Sequence, residues 1–281
     1  MFPELFQVGH STVYSYGVLM GFGTLLAILW PVRLADEEGI PAPKVEGLAL
    51  VIVLSAVIGS KLLTAVDYPG YYSGDWTQLG RQLLDRGGVF YGGLLLALGT
   101  SALYFWLARL PGWKVADCVT PGLALAQGLA RIGCFLAGCC WGTSTNLPIG
   151  VIFTSEQAHA ITGVPLHVRL HPTQLYEAVL VLAVIPLLLW LRKHKSFDGE
   201  VVLAYIFYYA VLRFFLEFLR GDPRGCYFDG LLSTSQLISL LIIPTATFLL
   251  VRLRKQAVRV KRSDRITPRV LVNRKARARA F

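Results

Sequence analysis

The chain has 281 residues, 54% of them hydrophobic and only 16% charged, with a formal net charge of +10. Its mean hydropathy of +0.55 is too high for a water-soluble globule of this size. Composition therefore predicts a polytopic, helical membrane protein.

Seven apolar segments follow in order, at about 14–30, 47–66, 89–109, 115–137, 174–191, 200–219 and 233–252. A helical span needs about 20 such residues. The first thirteen residues carry no Lys or Arg and no cleavage site, so no signal peptide is expected. Only the 138–173 stretch has room for a subdomain outside the membrane. The expected fold is all-α, with seven transmembrane helices around a polar chamber opening to the outer face. Residues 1–255 would form that domain, and 256–281 a basic cytoplasmic tail.

Orientation comes from the loop charges. The loops at 31–46, 110–114 and 192–199, with the tail from Arg252, hold most of the Lys and Arg. The alternate loops hold only Arg81, Arg86, Arg169, Arg220 and Arg224. The positive-inside rule then puts the C-terminus in the cytoplasm and, with seven spans, the N-terminus outside. The tail carries twelve basic residues against one acid, Asp264. It reads as an anchor on anionic membrane lipid, and no nucleic-acid partner is expected.

Two arginines and a glutamate stand out among the charges inside the spans. Arg131 lies in segment 4, and Arg213 and Glu217 lie in segment 6. A charge at the bilayer centre costs roughly 2.5–3.5 kcal/mol even on lenient scales, so these residues should share a polar interior. Arginines in a membrane cavity suit an anion, and a lipid phosphate is the commonest one there. Arg213, seven residues before Arg220, should lie about 10 Å deeper at 1.5 Å per residue. Arg213, Glu217 and Arg220 are spaced to form one stripe on one helix face. Arg213 and Glu217 could also be an ion pair within one helix, whereas Arg131 has no acid along its own helix.

The run His171-Pro172-Thr173-Gln174-Leu175-Tyr176-Glu177 reads as a helix start, with His171 as the cap and Pro172 in the first turn. Gln174 and Glu177, one turn further in, need polar partners in the bundle. Tyr91, Gly92 and Gly93 open segment 3, and their glycines allow close helix approach or backbone contact with a ligand. The five cysteines are Cys118, Cys134, Cys139, Cys140 and Cys226. Their spacing fits no zinc or thioredoxin pattern, so neither metal nor cofactor is expected. Cys118 reads as packing. A bridge from Cys226 to Cys139 or Cys140 is one option at the outer face, and separate buried thiols are the other.

Four runs now carry a resemblance. ARIGCFLAGCCWG resembles GRIGNFINGELWG, the signature of prolipoprotein diacylglyceryl transferases, and HPTQLYEA is similar to their HPSQLYEA. LRFFLEFLRGD resembles their FRF-x-x-EF-x-R block, and FYGGLL their FHGGLL. The resemblance covers roughly residues 10–255. It implies a bacterial inner-membrane enzyme that moves the diacylglyceryl group of phosphatidylglycerol onto the lipobox cysteine of a prolipoprotein, releasing glycerol phosphate. It further implies that Arg131 and Arg213 bind phosphate. Glu217, Arg220, His171, Gln174, Tyr176, Glu177, Gly92 and Gly93 would complete the site.

The sequence departs from the pattern where the acceptor is activated. Tyr91 replaces the histidine often proposed as base, Cys134 the signature's asparagine and Cys139 its glutamate. A tyrosine of ordinary pKa, about 10, is a poor base at neutral pH. Glu177, His171 or a polarised Tyr91 could serve. Two alternatives remain: a paralogue that binds anionic phospholipid but uses another acceptor, and a non-transferase role. The latter would be a membrane thiol–disulfide oxidoreductase, supported by Cys139-Cys140, or a lipid-binding chaperone.

Overall fold

A computed structural model of the protein describes residues 3–8, 11–67, 88–223, 225–227 and 231–278. Arg81, Arg86 and Arg224 lie outside these residues. So do the side chains of Cys226 and of residues 260–281, and with them the candidate Cys226 bridge and most of the basic tail.

The chain is mostly helical. Among the described residues, six helices are long and apolar enough to cross a membrane: Ser15–Asp36, Ala42–Asp67, Gly112–Ala137, Thr173–His194, Glu200–Leu219 and Thr234–Arg259. The expected third segment is also a helix, but its apolar stretch, Tyr91–Leu107, is shorter. Large apolar side chains point outward in number, among them Trp106 at 75% exposure and Leu95 at 68%. Water would penalise such surfaces, whereas lipid solvates them. The chain is a multi-pass membrane protein.

The expectation of a purely α fold needs one correction. Three short antiparallel pairs are present: β1 (Glu4–Val8) with β2 (Ser11–Tyr14), β3 (Val151–Ile152) with β4 (Arg169–Leu170), and β5 (Cys226–Tyr227) with β6 (Leu232–Ser233). Each joins segments flanking a helix end, where hydropathy gives no signal.

Two compact units divide the chain, Met1–Ala27 with Thr120–Phe281, and Ile28–Val119. The second unit is centred on α2 (Ala42–Asp67) and α3 (Phe90–Leu107). Glycine sets their separation: a Cβ on Gly92 would strike the carbonyl of Gly59, and one on Gly93 would come within 2.6 Å of the Ala56 oxygen. Polar side chains then bind the pair, as small-residue membrane interfaces do. Thr100 Oγ1 donates to Ser55 Oγ at 2.8 Å, and Lys44 Nζ to the Ala108 carbonyl at 2.8 Å. Cys118 is fully buried in this unit with its thiol 3.7 Å from the Leu34 carbonyl, in line with a packing role.

The first unit holds the beginning of α1 (Ser15–Asp36), the second half of α4 (Gly112–Ala137) and everything after it. Gly23 and Gly133 bring α1 against α4, facing Ala126 and Tyr16. Between Gly138 and Pro172 the chain folds into a small subdomain. It is built from β3, α5 (Glu156–Thr162) and β4 around Phe153, Ala158, Val164 and Leu170. Ser155 caps α5 by accepting from Ala158 N, and Gly163, at φ 71°, ends it.

Next come α6 (Thr173–Ala183) and α7 (Ile185–His194), broken at Val184 with Pro186 in the first turn of α7. Helix α8 (Glu200–Leu216) tightens into a 3-10 turn at Glu217–Leu219. Helix α9 (Thr234–Ala278) starts with a reciprocal cap between Ser233 and Gln236 and continues through the expected domain–tail boundary as one helix.

The glycine contact gives a direct test of packing in the second unit. Gly92→Ala should destabilise the detergent-solubilised protein by about 1–3 kcal/mol, the usual cost of overpacking. Gly99→Ala on the same helix meets nothing within 4 Å and should leave the thermal midpoint unchanged.

Candidate active site

Glu177 is the centre of the first unit's polar interior. It is 1% exposed and lies one turn into α6. Its Oε1 is 2.9 Å from Arg131 Nε on α4 and accepts from Tyr209 OH on α8 at 2.8 Å. Gln127 Nε2 reaches the same oxygen at 3.5 Å, and Gln127 Oε1 accepts from Tyr205 OH at 2.7 Å. Arg131 thus finds its acid on another helix. Three helices converge on a single carboxylate.

Arg213 sits one turn beyond Tyr209. Its Nη2 is 2.5 Å from Glu217 Oε2 and donates to Ser235 Oγ on α9 at 3.1 Å. The ion pair within one helix is therefore real, yet it does not saturate the arginine. Arg213 Nη1 is buried and makes no hydrogen bond.

Arg220 departs from the expected stripe. The helix tightens at Glu217, and Arg220 leaves it in extended conformation, at φ −78° and ψ 138°, bridged to Gly142. It is 9% exposed and forks onto Asp222 through Nε at 2.9 Å and Nη2 at 3.0 Å. Burial opposes its charge, but Asp222 and the adjacent Cys140 raise its pKa further. Its Nη1 is also buried without a hydrogen bond.

His171 does not cap α6. Its backbone is bonded to Gly142 and Thr143 in strand fashion, at 3.1 and 2.9 Å, which carries it away from the helix axis. Its Nδ1 lies 3.2 Å from Tyr176 OH. Pro172 occupies the cap position and makes no side-chain cap bond. The side chains that follow face back to the end of α4. Thr173 Oγ1 donates to the Cys140 carbonyl at 2.9 Å, and Gln174 Nε2 to the Cys139 carbonyl at 2.7 Å. Gln174 Oε1 stays buried without a partner.

Those bonds hold an unusual turn. Gly138 ends α4 at φ 80°, a position that suits glycine. Two residues later Cys140 takes φ 63°, which costs a side-chain-bearing residue on the order of 1 kcal/mol. The turn folds the chain back, so that the sulfurs of Cys134, Cys139 and Cys140 all lie within 4.8 Å of one another. Arg131 Nη1 is 3.8 Å from Cys140 Sγ, and Arg220 lies beside it. Hydrogen bonds from Cys134 and Cys139, then Arg220, pull the Cys140 thiol below its usual range. Cys139 is pushed up by its hydrogen bonds with Cys134 and Cys140 and by burial.

Of the residues expected at the site, Arg131, Glu177, Gln174, Arg213, Glu217, Arg220, His171 and Tyr176 all belong to the first unit. Tyr91, Gly92 and Gly93 belong to the second, where the glycines pack α3 on α2 and Tyr91 is 45% exposed. Gln127, Tyr205, Tyr209, Ser235 and Asp222 went unrecognised in the sequence. A signal was present for three of them: Gln127 lies four residues before Arg131, and Tyr205, Tyr209 and Arg213 recur every four residues on one face of α8.

Comparison with known proteins identifies the family. The family profile described as prolipoprotein diacylglyceryl transferase matches residues 3–252. The phosphatidylglycerol–prolipoprotein diacylglyceryl transferase of Clostridium tetani is 36% identical over 262 residues, which is 91% of this chain and 100% of that protein. A second, from Clostridium perfringens, is 38% identical over 82% of this chain and 87% of its own length. One from Dehalococcoides mccartyi is 30% identical over 94% and 97%. Family profile and full-length relatives agree, and the chain belongs to the prolipoprotein diacylglyceryl transferase family.

Proposed function

We propose that the protein transfers the diacylglyceryl group of phosphatidylglycerol to the cysteine thiol of a prolipoprotein and releases glycerol phosphate. The observation that carries this reading is a pair of buried, under-satisfied arginines. Arg213 and Arg220 each keep one Nη1 without a hydrogen bond. A buried cationic N–H without an acceptor is costly, and an anionic oxygen placed there removes the cost. Arg131, tethered at Nε by Glu177, keeps its outer nitrogens toward the same end of the unit as Cys140.

The chemistry needs such a set. The acceptor sulfur forms a bond to the glyceryl carbon as the carbon–oxygen bond to phosphate breaks. Negative charge grows on the departing phosphate, and preorganised guanidinium donors stabilise it in a dry site. The acceptor must first lose its proton, since the thiolate is the nucleophile. Glu177 Oε1 holds Arg131, Tyr209 and Gln127, which makes Glu177 a positioning residue for Arg131, while its buried Oε2 has no partner and is open to a proton. Arg131 and Arg213 take the phosphate, with Glu217, Arg220, Gln174, Tyr176 and His171 holding the frame around it.

In this reading α3 is the seventh span, and the arginines line a polar chamber that opens outward. The N-terminus lies outside the bacterial inner membrane. Residues 1–255 form the transferase domain, and 256–281 a basic cytoplasmic tail resting on anionic lipid.

The test is transfer itself, with purified protein, phosphatidylglycerol and a lipobox peptide in detergent. Thioether product and glycerol phosphate should appear in equal amounts, and Arg131→Ala or Arg213→Ala should lower kcat/KM by about 10²–10³-fold. No product, with phosphatidylglycerol still bound, would indicate a different acceptor. Both arginine variants retaining full activity would refute the phosphate site.

Stability gives a second test of the Glu177 tether. Glu177→Leu strands a buried cation and should cost on the order of 3–5 kcal/mol, whereas adding Arg131→Leu should recover most of that loss. Simple additivity of the two substitutions in thermal unfolding would argue against the pairing.

A further inference from the structure

The turn after α4 does more than connect helices. Three sulfurs whose mutual distances do not exceed 4.8 Å have a common point within about 2.8 Å of each, from plane geometry. Zinc–sulfur bonds are about 2.3 Å long, so each thiol need close by only about 0.5 Å to coordinate one ion. Rotation about one side-chain torsion covers such a distance.

The turn that carries the sulfurs is held in place, and cationic groups stand beside one of them. Cys140 is held in a strained left-handed conformation by Thr173 and Gln174, whose side chains bind the carbonyls of Cys140 and Cys139. Arg131 Nη1 at 3.8 Å and Arg220 both flank the Cys140 sulfur. Three thiolates around a divalent cation carry a net charge of −1, and a fourth thiolate makes it −2. Both flanking guanidiniums are already paired, Arg131 with Glu177 and Arg220 with Asp222, so they offset only part of that charge. The donor set is all sulfur, which selects thiophilic ions of the zinc class.

We propose that Cys134, Cys139 and Cys140 form a tris-thiolate site for a thiophilic divalent cation, zinc by its donor set, whose open fourth position takes the acceptor thiol of the transfer. The proposal rests on the transferase reading for the identity of that thiol. Three protein ligands with one exchangeable position are the usual arrangement of a catalytic zinc site, and a thiol that coordinates the ion is deprotonated outright. The step balances without a separate protein base. The acceptor S–H loses its proton to water on binding, and its sulfur attacks the glyceryl carbon. The carbon–oxygen bond breaks, and glycerol phosphate leaves with the electron pair. The thioether product is a neutral, weak ligand that water displaces.

Cobalt(II) reads the site directly. The metal-stripped, reduced protein in detergent should take up one equivalent, with the visible bands of tetrahedral Co(II) and thiolate-to-metal charge transfer. Cys139→Ser should weaken uptake at least tenfold, a loss no smaller than that seen for outer-shell partners. Cys118→Ser, in the second unit, should bind as the parent does. Adding a lipobox peptide should increase the charge-transfer intensity, and its Cys→Ser analogue should not.

No uptake by protein whose thiols titrate as reduced would overturn the site. Uptake with no response to the peptide thiol would overturn the acceptor role, as would full transfer activity in metal-stripped protein. If cobalt binds and responds to the peptide while no thioether forms from phosphatidylglycerol, the site stands and the transferase reading fails.

Discussion

A carboxylate buried among apolar helices can have its charge balanced only by protein, and that requirement at Glu177 organises the site. Taking an ion out of water costs several kcal/mol even after relaxation, and lipid supplies no hydrogen bonds. Arg131, Tyr209 and Gln127 answer it from α4 and α8, so three helices are fixed relative to one carboxyl oxygen. The second oxygen, Oε2, is buried without a partner. Tyr205 extends the network by ordering Gln127. Geometry this constrained holds Arg131 in one orientation, which is what preorganised stabilisation of a leaving phosphate needs.

The same logic runs outward from the pair. Helix α8 carries Tyr209 and Arg213 on one face, then tightens at Glu217 and releases Arg220 into extended backbone beside Gly142. There Arg220 meets both Asp222 and Cys140. Gly142 has room for nothing more: a Cβ would come within 2.7 Å of the Leu219 carbonyl. The turn at 138–142 is thus clamped from α6 by Thr173 and Gln174 and from the end of α8 by backbone bonds such as Thr143 N to the Leu219 carbonyl at 2.8 Å. Buried guanidiniums and thiols become neighbours through that clamp.

Much of this was legible in the sequence. Hydropathy located the starts of the apolar helices to within about five residues, because a membrane span is mostly apolar. It could not show that the last helix continues to Ala278. The Arg213–Glu217 pair followed from spacing on one helix. What spacing could not give were the partners on other helices: Arg131 with Glu177, and Glu177 with Tyr209. His171 and Arg220 were misplaced for a shared reason, since each leaves its helix to bond with residues 142–143 or 142. Nor could cysteine spacing show that the sulfurs of Cys134, Cys139 and Cys140 meet, because left-handed residues at 138 and 140 reverse the chain.

The central claim is that the buried arginines exist to hold an anionic lipid headgroup. Native mass spectrometry of the purified protein against equal amounts of phosphatidylglycerol and phosphatidylcholine, with matched acyl chains, tests it most directly. The account predicts selective retention of phosphatidylglycerol, with the selectivity falling when Arg213 is replaced by alanine. Equal retention of the zwitterionic lipid, unchanged in that variant, would contradict it.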